Sequence, residues 1–183
     1  MTMTTKKTIK RLEGQVLRID LQEGRHAYAR LLKEPLIAFY DKLYADGKEP
    51  LIEDILALPI AFKIWVMNYT IKKGKWPIIG CAPLTSDLQE VPLFFKQDPL
   101  NGRLAIHQSI PQLAPHFERP ATFAECIGLE QAAVWDPHHV EDRLRDHFAG
   151  RPSKWAVRAR TTEEFVAHQE AKRRERDAHK LIR

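Results

Sequence analysis

The sequence predicts an α+β fold: an antiparallel sheet of hairpins, curled toward a barrel, with helices mainly in the C-terminal part. Two observations carry this. The first part of the chain is a series of short apolar runs, several alternating, each closed by turn residues. Capped segments with a helical stripe, one short run at 51–58 aside, come only later. Strands first and helices afterwards is the order of an α+β domain with an antiparallel sheet. No internal repeat is visible.

Residues 15–21 alternate, with Leu17, Ile19 and Leu21 on one face, as a half-buried strand does. Gln22-Glu23-Gly24-Arg25 is a turn in which Gly24 is free to take positive φ. Residues 26–33 return, placing Ala27, Ala29 and Leu31 on one side and His26, Tyr28 and Arg30 on the other, so the pair is a hairpin. The small Ala27 and Ala29 leave room for a Trp or Phe from later in the chain. Residues 36–40 are apolar on both faces and read as a central strand.

Residues 51–58 form a short amphipathic helix stopped by Pro59. A strand is expected over 61–66, a basic loop over 70–75 and a short apolar run over 76–79. Residues 91–97 and 103–107 make a second hairpin around Asp98-Pro99-Leu100-Asn101-Gly102, and the proline-rich stretch 109–120 reads as a loop. Thr122 and Glu125 write a capping box. A short strand is expected over 132–135. A helix then starts with Asp136 as N-cap and Pro137 at its first position, and stops before Gly150. Its apolar stripe is Val140, Leu144 and Phe148. Residues 161–182 form a last helix, acidic at its start and basic at its end, whose apolar content fades after Phe165 and Val166.

The organisation expected is a disordered leader over 1–12, a domain over 13–156 and a basic helical tail over 157–183. A chain of 183 residues can bury a full core without staples. No apolar run approaches the roughly 20 residues of a membrane span, and no export signal is written at the N-terminus, which points to the cytoplasm. Cys81 and Cys126 have no CxxC partner and read as buried, reduced thiols. The net charge of +5 lies entirely in the tail: residues 1–150 hold 19 cationic and 19 anionic side chains, residues 151–183 hold 10 and 5.

No phosphate loop, nucleophile elbow or paired metal-ligand motif is present. The best catalytic cluster is His138 and His139 with Asp142, Asp146 and His147, which a helix gathers one turn apart. His138, Asp142 and Asp146 could hold a divalent metal from one face and activate a water. The plainer reading is a capped, solvated helix face. Lys72, Lys73 and Lys75 beside Trp76 combine cations with an aromatic, as single-strand binders do, and the plainer reading is a core tryptophan beside a basic loop.

Several blocks together carry a likeness: Gly14-Gln15-Val16, the hairpin string Gly24-Arg25-His26-Ala27-Tyr28-Ala29-Arg30, and Ile37-Ala38-Phe39-Tyr40-Asp41. Further on come Gly74-Lys75-Trp76-Pro77-Ile78-Ile79-Gly80, Phe94-Phe95-Lys96-Gln97-Asp98-Pro99 and Ala133-Val134-Trp135-Asp136-Pro137. This collinear set, spanning about residues 13 to 156, resembles the immunity protein 26 family, also labelled immunity 26/phosphotriesterase HocA. The resemblance implies a cytoplasmic antidote, encoded beside a polymorphic toxin, that acts by stoichiometric binding and needs no cofactor. The second half of the label implies metal-dependent phosphotriester hydrolysis, for which His138, His139, Asp142 and His147 are the candidates; no catalytic residue is carried over from the family.

For an antidote with an electrically neutral body, affinity comes from aromatic and arginine anchors. Arg25, Tyr28 and Trp76, placed near turns, are the expected partner-binding residues. The expected partner is a protein toxin. Nucleic acid is reachable only through the basic tail, and no membrane contact is expected.

Overall fold

A computed structural model describes residues 9–45, 47, 49–108 and 117–180, the last without its side chain. In chain order the elements are β1 (Gln15–Asp20), β2 (Arg25–Leu31), β3 (Leu36–Tyr40), β4 (Tyr44–Ala45), α1 (Ile52–Leu56) and β5 (Ile60–Val66). Then come α2 (Tyr69–Lys72), β6 (Ile78–Cys81), α3 (Ser86–Gln89), β7 (Phe94–Gln97), β8 (Leu104–Gln108) and β9 (Phe117–Pro120). The chain ends with α4 (Phe123–Cys126), β10 (Glu130–Gln131), β11 (Val134–Trp135), α5 (Pro137–Phe148) and α6 (Thr162–Lys180). The class is α+β with mostly antiparallel pairing, as expected. Both sheets stay open among the described residues; neither closes into a barrel.

The chain divides into two compact units. The first takes residues up to 92 and 133–156; the second takes 93–108, 117–132 and 157–180. The first unit holds the sheet ordered β11-β5-β3-β2-β1-β6, with β4 paired to the start of β2. The β1–β2 hairpin pairs Val16 with Arg30 and Asp20 with His26. Its turn takes three consecutive residues, Gln22, Glu23 and Gly24, through positive φ, so the glycine is one of three left-handed positions rather than the only one.

Both faces of this sheet are covered. On one, Leu17, Ile19, Ala27, Ala29, Leu31, Ile37, Phe39 and Ile64 pack in one cluster with Trp76, Trp135, Val140 and Leu144, the last two from the stripe of α5. Ala27 and Ala29 share this cluster with Trp76, Trp135, Phe39 and Phe62. On the other, Val16, Tyr28, Tyr40 and Ile55 pack together, with Ile52 and Leu56 of α1 alongside. Burial of the second face accounts for Arg30, whose Nη2 donates to the carbonyls of Ala82 (2.6 Å) and Pro83 (3.0 Å) instead of reaching water.

The second unit orders its sheet β10-β7-β8-β9. Phe95, Ile106, Cys126 and Ala159 form its core. The capping box is present: Thr122 Oγ1 accepts from the Glu125 N–H, and the Glu125 carboxylate accepts from the Thr122 N–H at 2.9 Å. Residues 117–120 pair with β8 as a strand, against the loop expected there; residues 109–116 of that loop lie outside the described residues. The start of the expected 70–75 loop is the single helical turn of α2. Phe165 anchors α6 against Gly102, and from Glu170 to His179 every residue is exposed. The leader's residues 1–8 also lie outside the described residues. Cys126 is buried, but Cys81 is exposed, because β6 is the edge strand of its sheet. Among the described residues no helix is long and apolar enough to cross a membrane.

Candidate functional site

The first turn of α5 is the point where most of the singled-out residues meet. Asp136 caps it: its Oδ1 accepts from the His138 N–H at 2.8 Å, and Pro137 occupies the first helical position where no donor is needed. Tyr69 of α2 donates its hydroxyl to the other Asp136 oxygen at 2.9 Å, tying α2 to that cap. Glu141, one turn on, stands between Lys75 (3.0 Å) and the Trp76 indole N–H (2.8 Å).

Asp142 is held on three sides: by Arg145 at 2.6 Å, the Lys154 ammonium at 2.8 Å and the Trp155 indole N–H at 2.8 Å. The Lys154, Trp155 and Arg145 contacts, in that order, hold its carboxyl well below the usual carboxylate range. Trp155 lies flat on His139, ring centroids 3.7 Å apart and planes 20° from parallel. The segment after α5 is thereby pinned back along it.

The residues weighed as alternative metal ligands do not converge. His138 is 73% exposed and sits beside the Lys75 ammonium at 3.4 Å, a cation that competes with any metal for its ring nitrogen. His139 is taken up by the stack with Trp155, and Asp142 by its three donors. Asp146 pairs with Arg151 at 3.1 Å. His147 reaches the other way, to Asp41 at 2.7 Å. Among the described residues no group of three or more His, Cys, Asp or Glu is placed to hold a metal ion. The helix spacing was right, but each donor is spent on a protein partner.

The expected partner anchors fare unequally. Arg25 is at the surface, at the hairpin turn, paired with Glu23 at 2.6 Å. Tyr28 and Trp76 are buried. Tyr28 donates its one hydroxyl proton to Glu49 at 2.7 Å, so its oxygen accepts from His26 Nε2 at 3.0 Å; burial, then the bond to Glu49, pushes its hydroxyl pKa up. Trp76 is 1% exposed and meets Phe39 edge-on at 6.0 Å. Of the four tryptophans only Trp155 is exposed, at 40%. Trp76 is thus the core tryptophan beside a basic loop, the plainer of the two readings of Lys72, Lys73, Lys75 and Trp76, and the exposed tryptophan is Trp155. Nothing local marked Trp155; its indole N–H finds Asp142 only once α5 and the following segment fold together.

The second unit carries an open groove of about 660 Å³ lined by Lys96, Asp98, Arg103, Glu118, Arg119 and Gln131 among others. Its charges mostly satisfy one another: Lys96 pairs with Glu118 at 2.5 Å, Arg119 with Glu125 at 2.7 Å, and Asp98 accepts from the Leu100 N–H at 2.7 Å.

The family model described as Immunity protein 26 matches residues 12–105. No curated protein and no solved structure matches the chain. The matched span begins just before β1 and ends inside β8, so it holds the β1–β2 hairpin, α2 and Trp76, while α5 and Trp155 lie beyond it. With just over half of its residues under that model, the chain belongs to the immunity protein 26 family.

Proposed function

We propose that this protein is a cytoplasmic antidote that binds a cognate polymorphic toxin, encoded nearby, and neutralises it by stoichiometric association without catalysis. The observation that carries the reading is membership of the immunity protein 26 family. The chemistry around α5 is in keeping with it: each carboxylate there is spent on a lysine, an arginine, a tyrosine or an indole, which suits a rigid surface better than a reacting centre. The two free cysteines, one exposed, suit a reducing compartment.

The test is capture from the native host's lysate with the tagged full chain, copurifying proteins being identified by mass spectrometry. One partner at a fixed ratio, the product of an adjacent gene, is the expected result. A chain that emerges alone overturns the proposal.

A further inference from the structure

We infer that the cation-and-aromatic surface gathered around the first turn of α5 is where the partner docks, and that it takes an acidic protein surface; the inference rests on the antidote reading for its partner. All of it belongs to the first unit. Tyr69 and Lys72 come from α2, Lys73 and Lys75 from the turn after it, His138 and His139 from α5, and Lys154 and Trp155 from the segment beyond.

These are held together by the bonds already described, and Lys73 lies over the Tyr69 ring at 5.3 Å. Three carboxylates of this neighbourhood, Asp136, Glu141 and Asp142, are consumed by donors, and a fourth, the exposed Glu34, accepts from the Asn68 amide just before Tyr69. The side chains left facing water are Lys72, Lys73, His138, Lys154 (61% exposed) and Trp155. The outward groups of this neighbourhood are mainly cations, and its carboxylates are each paired with a donor.

Such a face meets a partner of opposite sign: complementarity of charge steers the encounter and fixes its register. Trp155 supplies what charge alone does not. Stacked on His139, bonded to Asp142 and with the Lys154 ammonium 5.1 Å from its ring centre, it is already ordered before a partner arrives. An aromatic ordered in advance loses little freedom on binding, which is the property of interface residues that dominate affinity.

The probe is an acidic peptide of roughly ten residues, alternating Asp and Ala, added to the isotope-labelled full chain at low salt, where surface charge is least screened. Trp155 is exposed where Trp65, Trp76 and Trp135 are buried, so its indole N–H resonance, once assigned by its loss in Trp155→Ala, reports the site. Saturable movement of that resonance and of the amides of residues 72–75 and 138–139 is expected, with Lys72→Glu/Lys73→Glu weakening the affinity about tenfold. Trp155→Ala, which leaves Asp142 paired to Lys154 and Arg145, is expected to weaken it at least as much. Three results overturn the inference: movement confined to residues 172–179 of α6, which carries a denser run of basic residues; an affinity unchanged in Trp155→Ala; or tighter binding of a single-stranded RNA of similar charge at the same residues, which makes the occupant a nucleic acid. Capture that finds no partner defeats the antidote reading and leaves this result readable; a peptide that ignores the patch while capture succeeds defeats only the surface.

Discussion

Replacing Trp76 with Phe distinguishes a core tryptophan from a partner anchor. The side chain is 1% exposed, packs edge-on to Phe39, and donates its indole N–H to Glu141 at 2.8 Å. A hydrogen bond to a charged group contributes about 1.5–3 kcal/mol. Glu141 keeps Lys75 at 3.0 Å, so it is not left unpaired and the lower part of that range applies. The smaller ring leaves unfilled volume, adding about 1 kcal/mol. The expected loss is therefore about 2–3 kcal/mol, read as a lower urea midpoint by far-ultraviolet circular dichroism with an unchanged slope. Combining Trp76→Phe with Glu141→Gln in a double-mutant cycle is expected to give a coupling of about 1 kcal/mol. A loss under about 0.5 kcal/mol with a weakened partner complex refutes the reasoning, since that is how an exposed anchor behaves.

Gly14 takes φ +82°, and a Cβ there would stand 2.2 Å from the Ala82 carbonyl oxygen, a backbone atom held by the Arg30 guanidinium at 2.6 Å. Gly14→Ala is expected to cost more than about 2 kcal/mol in chemical unfolding, from left-handed strain plus the clash. Gly102→Ala, whose added carbon would meet the Phe165 ring at 2.7 Å, is expected to speed hydrogen exchange over residues 162–169. Glu125 titrates at about 2, below its ordinary 4.5, through the bonds from the Thr122 N–H, the Arg119 guanidinium and the Thr122 hydroxyl. Because the folded value is the lower one, its contribution is intact above about pH 4.5 and is lost as pH falls toward 2. Melting temperature followed across that window is expected to fall less steeply in Glu125→Gln. Zinc added at equimolar concentration is expected to leave the His138 and His147 ring resonances in place, because their nearest groups are Lys75 and Asp41; coordinated movement of both would refute the assignment of those contacts.

Much of the fold was legible because its signals are local. The strand Gln15–Asp20, the Asp136-Pro137 start of α5 and the Thr122/Glu125 box each depend on residues within a few positions of one another, and each is found; the single buried face read from the alternation is not, because both faces of that sheet are covered. What is not legible locally depends on distant packing. Trp76 sits next to three lysines in sequence, and only the fold decides between a surface and a core position by surrounding it with Phe39 and Glu141. Tyr28 alternates onto the face opposite Ala27 and Ala29, and only the packing of α1 over that face buries it. The helix spacing of His138, Asp142 and Asp146 was correct, but no local pattern reveals that Lys154, Trp155 and Arg151 return to take the two carboxylates. Pairing of residues 117–120 with β8 likewise prevails over their proximity to prolines, which edge strands tolerate.

The central claim is that neutralisation is stoichiometric. The direct measurement is the captured partner's toxic activity titrated with this protein at concentrations well above their dissociation constant. The account predicts a linear fall to zero at one equivalent. Complete loss of activity at about one hundredth of an equivalent, growing with incubation time as turnover does, would contradict it.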